Sequence, residues 1–179
     1  TKTLAPLAEA FIDTYDRLRT MSITQASELS EGTEAIETLL AKMGSWAAQI
    51  AAFEAIQGFD RRAYGDKPDV PDDVIADAES FMALVSEQLE LEPQSVPYGE
   101  ELLADMSAAL ERAKVEWGEA GVVRSEWMLL VRENRENARL LARALIGFRQ
   151  SLARVVGRAH PDFQTLRAAK IDRQVLEDG

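Results

Sequence analysis

The chain contains no cysteine and a single histidine, His160, among its 179 residues. Without cysteine there can be no disulfide, no thiol nucleophile, no zinc–thiolate site and no iron–sulfur site. With one imidazole, metal sites and catalytic relays that need several histidines are excluded as well. The sequence therefore has little catalytic apparatus, and we expect no cofactor.

Long apolar runs are also missing. The run from Trp127 to Val131 is not exceeded in length anywhere in the chain, whereas a membrane-spanning helix needs about 20 consecutive apolar residues. No basic segment followed by an apolar one opens the sequence, as a secretory signal would require. We expect a cytoplasmic protein without a membrane span; the alternative is an extracytoplasmic domain trimmed of its signal.

Basic residues are absent from a long internal segment. Residues 68–111 carry 12 acidic and no basic side chains, and the whole chain has a net charge of −11. From Asn137 to Leu176 the balance reverses, with eight basic side chains against Asp162 and Asp172. A molecule of this net charge repels nucleic acid and anionic membranes, so we expect neither as a partner.

Two explanations fit this charge polarity. In the first, the acidic helices lie beside the basic one and neutralise it, because most helices of a small bundle are neighbours. In the second, a basic helical face meets an acidic partner, or an acidic hairpin meets a basic one. The sequence leaves both open.

Apolar residues recur three and four positions apart through most of the chain, which is the period of one face of an α-helix. No strand alternation or internal repeat is visible. The pattern predicts one all-α domain over residues 1–179, an elongated and mostly antiparallel bundle of about five helices with a long C-terminal helix. The predicted helices cover residues 3–30, 33–57, 71–91, 99–118 and 123–160, followed by a short helix or tail at 162–179.

Glycine and proline predict the ends of these helices. Glu31-Gly32-Thr33 is expected to end one helix and cap the next, and the segment 118–121 to end another. Pro71 suits the first turn of the third helix. In the long last helix, Gly147 and Gly157 are the expected bends. His160-Pro161 is expected to stop it, because proline lacks an amide donor and disfavours a helical residue before it.

The last predicted helix carries a heptad seam that Asn134 interrupts. Its apolar positions alternate in steps of four and three from Trp127 to Ala159. A single buried asparagine often fixes helix register or oligomeric state. We therefore expect Asn134 to face a specific helix, in this chain or in a second copy; the alternative is that it lies where the helix is exposed.

Arg135, Arg139 and Arg143 recur four residues apart on one ridge of the same helix. Arginine suits bidentate contacts with carboxylate or phosphate; a solvated face with local pairs such as Glu136 with Arg139 is the alternative. The run Arg132–Leu141 and the helix after it resemble the C-terminal helix of flagellar export chaperones. That resemblance implies an amphipathic helix that binds a partner's helix in a groove.

Arg154 and His160 form an Arg-x5-His spacing, Arg154-Val-Val-Gly-Arg-Ala-His160. This spacing resembles the motif of HEPN-type ribonucleases, which are all-α and usually dimeric. The resemblance implies that Arg154 and His160 converge on a scissile phosphate. Alternatively, His160 is a helix-end residue whose positive charge interacts well with the helix dipole.

A group of aspartates resembles a divalent-cation site, since carboxylates at this spacing can ligate magnesium. A solvated helix start explains the same residues, because negative charge is favoured there. The group consists of Asp69, Asp72, Asp73 and Asp77.

The sequence thus predicts a non-enzymatic helical interaction module: an adaptor, an export or assembly chaperone, or a structural subunit. It would bind a protein partner or a second copy of itself by helix packing and charge complementarity. Arg135, Arg139 and Arg143 would form the charged face, and Asn134 would set the register. The alternatives are a HEPN-like ribonuclease and a small-molecule sensor with a pocket near Trp46 or Trp117.

Overall fold

The structure is a computed structural model that describes residues 4–64 and 70–168. The all-α prediction is confirmed: 86% of the described residues are helical, and none of them is in a strand. The described residues form four α-helices and one 3₁₀ turn. These are α1 Leu4–Ala52, the turn Arg61–Ala63, α2 Pro71–Leu91, α3 Gly99–Val155 and α4 Pro161–Ala168.

The prediction of five helices is wrong, because two predicted breaks lie inside continuous helices. The predicted helices 3–30 and 33–57 form one helix, α1, and the predicted helices 99–118 and 123–160 form another, α3. α3 is long, as predicted for the last helix, but it is not C-terminal because α4 follows it. The start of α2 agrees with the prediction, since Pro71 occupies its first turn.

Gly32 lies at a contact between α1 and α3 and not at a helix end. A Cβ atom there would lie 3.3 Å from the Glu116 carbonyl oxygen, 3.3 Å from Trp117 Cε3 and 3.4 Å from Ala120 Cβ. The missing side chain lets the two helices approach closely. Gly118 lies in the second predicted break, and a Cβ atom added there would have no other atom within 4 Å. Helix α3 therefore continues through it at a cost of up to about 1 kcal/mol.

Gly157 ends α3 and does not bend it. Its φ of +85° lies in the left-handed region that glycine adopts without a steric penalty. The helix therefore stops at Val155, before the predicted stop at His160-Pro161, and Pro161 begins α4. Gly147, the other predicted bend, lies inside the uninterrupted α3.

Contacts divide the chain into two compact units, to which both α1 and α3 contribute. We call residues 24–123 the core unit, and residues 1–23 with 124–179 the terminal unit. That the chain forms one domain stays a prediction.

The core unit has a packed apolar core between α1, α2 and α3. Helices α1 and α3 run antiparallel in this unit, because Trp46 Nε1 near the end of α1 donates to Asp105 near the start of α3. The ring of Phe59 stacks on that of Tyr64 with centroids 5.6 Å apart, and Tyr64 packs against Phe81 at 5.2 Å. The largest fully buried side chains are Phe81, Leu39, Met43, Leu102, Met106, Val74 and Val85.

The terminal unit buries far fewer side chains. Among its described residues only Thr14, Leu130 and Ala142 are buried. α1 and α3 run antiparallel here too, since Trp127 Nε1 donates to Ser22 Oγ at 3.1 Å while Asn137 lies opposite residues 10–14. Within the described part of the chain, no helix has a stretch long and apolar enough to cross a membrane.

Candidate functional site

Asn134 faces α1 of its own chain. The Thr14 hydroxyl lies 3.0 Å from Asn134 Oδ1, within hydrogen-bonding distance, although Thr14 and Asn134 are 120 positions apart in the sequence. Asn137 Nδ2 donates to the Thr14 hydroxyl and to the Ala10 carbonyl, both at 3.4 Å. Thr14 is buried, and both asparagines are half-buried. We call Thr14, Asn134 and Asn137 the polar cluster.

The polar cluster ties one register of α1 to one register of α3. The hydroxyl of Thr14 also lies 3.0 Å from the Ala10 carbonyl oxygen and 3.1 Å from that of Phe11, so its single proton has three acceptors. Sliding either helix by a turn would separate the asparagine amides from Thr14 and leave polar atoms against apolar side chains, which is costly. The sequence analysis missed Thr14 and Asn137. Thr14 could have been found from its spacing, because it lies three residues after Phe11 and four before Leu18.

The three predicted arginines differ in exposure, and they do not all line the same depression. Arg135 and Arg143 are exposed, while the Arg139 side chain is 22% exposed and its Nη1 lies 3.7 Å from Glu136 Oε2. The predicted pair of Glu136 with Arg139 is thereby confirmed. Arg135 and Arg139 line a shallow depression of about 770 Å³ on α3, which Arg143 does not line.

Apolar side chains form part of the same depression. Its lining consists of Trp127, Met128, Val131, Arg132, Arg135, Glu136 and Arg139, which we call the α3 face. Met128 is 58% exposed. Further apolar side chains of the terminal unit are also exposed, namely Ile12, Tyr15 and Ile23 on α1, and Leu129 and Leu140 on α3.

Charge is distributed unequally between the two units. The core unit has 21 acidic and 6 basic side chains, a net charge of −15, while the terminal unit has 10 acidic and 14 basic side chains, a net charge of +4. The acidic segment 68–111 belongs to the core unit, whereas the arginines from Arg124 onward belong to the terminal unit. Neutralisation of the acidic segment within its own unit is therefore only partial.

Two ion pairs stabilise acidic side chains of the core unit. Asp105 accepts hydrogen bonds from the Lys42 ammonium and from Trp46 Nε1, the latter at 3.0 Å, and these bonds hold the pKa of the Asp105 carboxyl below its usual value. Glu79 lies 2.7 Å from Lys114 Nζ and raises the pKa of that ammonium group. Both pairs connect helices within the core unit and are structural.

Arg154 and His160 lie close in sequence but have different neighbours. His160 Nδ1 accepts a hydrogen bond from the Asp162 amide at 3.3 Å and lies 3.6 Å from Asp162 Oδ2, so it caps the start of α4. Arg154 lines a second depression, together with Arg158, Phe163 and other residues, and His160 does not line it. His160 therefore lies at a helix end, but it is the N-terminal end of α4 and its Nδ1 accepts a hydrogen bond, so this contact does not show the expected interaction of a positive charge with a helix dipole.

The aspartate group has one member, Asp69, outside the described residues. Asp72 and Asp73 are exposed in the first turn of α2, and Asp77 is half-buried. Within the described residues, no group of three or more acidic or histidine side chains could hold a metal ion. The residues fit the solvated helix start better than a cation site.

The tryptophans near which a sensor pocket was expected are packed against the core. Trp46 and Trp117 are both half-buried and contact core residues. A depression of about 820 Å³ in the core unit is lined by residues of α1 and of the segment 59–64, but neither tryptophan lines it.

The α3 face is the candidate that combines positive charge with exposed apolar side chains. No family model, no curated protein and no solved structure matches the chain.

Proposed function

We propose that the protein is a non-enzymatic helical interaction module whose α3 face binds an acidic amphipathic helix of a protein partner. The observation that carries the proposal is the combination of arginines and apolar side chains on one surface. Arg132, Arg135 and Arg139 flank Trp127 and Met128 there. An adaptor, an export or assembly chaperone, and a structural subunit all use such a surface.

The poor burial of the terminal unit favours a partner. Two helices side by side bury only the stripe at which they meet, and three side chains are buried among the described residues of this unit. Met128 and Leu129 remain more than half exposed on α3. A third helix laid along α3 would cover them by contacts at every third or fourth residue, which is the helix-in-groove mode of recognition. Methionine suits such a surface because its side chain adapts to different partners.

The charge of the α3 face selects an acidic partner. The terminal unit has a net charge of +4, and the guanidinium groups of Arg132, Arg135 and Arg139 can each contact a carboxylate with two parallel hydrogen bonds. Long nucleic acids are disfavoured because the chain as a whole carries −11. A partner helix with glutamates or aspartates beside its apolar stripe satisfies both requirements.

Photo-crosslinking at the α3 face tests this proposal. We would replace Met128 with a photoreactive phenylalanine analogue in the full chain, irradiate cells of the native source, and identify the crosslinked peptide by mass spectrometry. The matched control carries the analogue at Val115, which is on the same helix and 54% exposed, close to the 58% of Met128. The expected product joins position 128, and not position 115, to an acidic helical segment of another protein.

The same crosslink is then measured in two charge variants. Arg132→Glu, Arg135→Glu and Arg139→Glu together should abolish it while the helical circular dichroism stays that of the wild type. Arg19→Glu, Arg62→Glu and Arg124→Glu, three exposed arginines outside the α3 face, give the same change of net charge and should leave the crosslink intact. A crosslink that survives the first set of changes, or that joins position 128 to a second copy of this chain, would contradict the proposal.

A further inference from the structure

The end of α3 and α4 bring four arginines to one depression of the terminal unit. Arg149 and Arg154 come from α3, Arg158 from the link after it, and Arg167 from α4. Phe163 of α4 is half-buried in the same lining. The depression has a volume of about 670 Å³, and we call it the arginine pocket.

The chain turn at Gly157 and a set of hydrogen bonds hold the arginine pocket together. Gly157 ends α3 in the left-handed conformation, and the next helix starts four residues later at Pro161. Gln164 Nε2 donates to the Arg158 carbonyl at 2.7 Å, which ties α4 back to the link. The lining of the pocket therefore comes from α3, the link and α4, and it is not a run of basic residues on one helix.

The arginine pocket has a strong excess of positive charge. Between Asn137 and Ala168 there are six arginines, and Asp162 is the single acidic residue. Within residues 4–64 and 70–168, no acidic side chain forms an ion pair with Arg154, Arg158 or Arg167. Guanidinium groups placed close together repel each other, and a bound anion reduces that repulsion.

We propose that the arginine pocket binds a small ligand with two or more phosphate groups. Guanidinium groups contact phosphate oxygens in pairs, and Arg154, Arg158 and Arg167 supply several such contacts at one place. The volume of about 670 Å³ lies within the usual range of about 300–1,000 Å³ for small-molecule sites. The ligand is either an inorganic polyphosphate or a nucleotide, whose base would lie against the ring of Phe163.

Calorimetric titration of the full chain tests the arginine pocket. The probes are inorganic tripolyphosphate, adenosine triphosphate and a single-stranded oligonucleotide, each in 0.15 M salt. Arg154→Gln, Arg158→Gln and Arg167→Gln together should weaken tripolyphosphate binding at least tenfold. The matched control, Arg19→Gln with Arg62→Gln and Arg124→Gln, removes the same charge elsewhere and should bind like the wild type.

Substitution of Phe163 distinguishes the two sources of phosphate. If Phe163→Ala weakens the binding of adenosine triphosphate several-fold and leaves tripolyphosphate unchanged, the ligand is a nucleotide; if it changes neither, the ligand is inorganic polyphosphate. The proposal is overturned if neither small phosphate binds the wild type at millimolar concentration, or if the pocket and control variants bind equally. It is also overturned if the oligonucleotide binds more tightly than both small phosphates. Arg154, Arg158, Arg167 and Phe163 lie outside the α3 face, so this result does not depend on that of the crosslink.

Discussion

Gly32 packs against α3, although the sequence around it predicts a helix end. Adding a side chain at Gly32 should show which of the two roles is correct. In a helix interior, alanine is more stable than glycine by about 0.5–1 kcal/mol. At Gly32 that gain is opposed, because a Cβ would lie 3.3 Å from the Glu116 carbonyl oxygen and from Trp117 Cε3. The Glu116 atom is backbone, so α3 itself must move by a few tenths of an ångström. We expect Gly32→Ala to change the free energy of unfolding by less than about 0.5 kcal/mol as the two effects offset each other.

The larger substitution gives the clearer result. Gly32→Val adds two further methyl groups to the same gap, and overpacking of this kind costs about 1–3 kcal/mol. Gly118→Ala is the matched control, because Gly118 is also inside a helix but has open space at its Cβ position. It should stabilise the protein by about 0.5–1 kcal/mol.

Urea unfolding followed by tryptophan fluorescence and by circular dichroism measures these differences. Trp117 packs beside Gly32, so its fluorescence reports on the contact in question. The reasoning is refuted if Gly32→Ala stabilises as much as Gly118→Ala and Gly32→Val costs nothing. That result would mean that α1 and α3 do not approach closely at Gly32.

Two further substitutions test the polar contacts within each unit. Thr14→Val keeps the shape of the side chain but removes the hydroxyl that the Asn134 and Asn137 amides contact, so the free energy of unfolding should fall by about 1–2 kcal/mol. In a double-mutant cycle, adding Asn134→Leu should recover part of this loss. If the effects of the two substitutions simply add, the contact does not stabilise the protein. Asp105→Asn should destabilise the protein at neutral pH, because bonds from Lys42 and Trp46 lower the pKa of the Asp105 carboxyl in the folded state. The difference in unfolding free energy between wild type and variant should have its full size above the ordinary aspartate pKa of about 3.9, and it should vanish as the pH falls through the lowered pKa of the folded state. If urea titrations at pH 7 and pH 2 give the same difference, the charge of Asp105 is not its cause.

The sequence predicts helices better than it predicts their ends. The start of α2 is fixed by local chemistry, since Pro71 lacks an amide hydrogen that the first turn does not need. The sequence predicts a helix end at Gly32 and a bend at Gly157, yet Gly32 is a packing position and Gly157 is a helix end. The difference depends on what lies opposite. Gly32 faces Trp117 on α3, whereas Gly157 has nothing within 4 Å of its Cβ position and adopts a positive φ.

The candidate sites also combine residues that the local sequence pattern identifies with contacts between distant residues that it does not reveal. The heptad seam identifies Asn134 as unusual, and helical spacing places Thr14 on the apolar stripe of α1, but nothing in the sequence pairs these two residues, which are 120 positions apart. The arginine ridge is visible in the sequence because its spacing is that of a helix. The arginine pocket is not visible, because Arg154 and Arg167 come from different helices and meet only through the turn at Gly157.

Arginines of the α3 face are proposed to bind an acidic partner. The most direct measurement is the Kd of the crosslinked partner for the two sets of arginine-to-glutamate variants at 0.15 M salt. We predict that Arg132→Glu, Arg135→Glu and Arg139→Glu together raise the Kd at least tenfold, or about 1.4 kcal/mol, relative to the control with changes at Arg19, Arg62 and Arg124. Equal Kd values for the two variants would contradict the account.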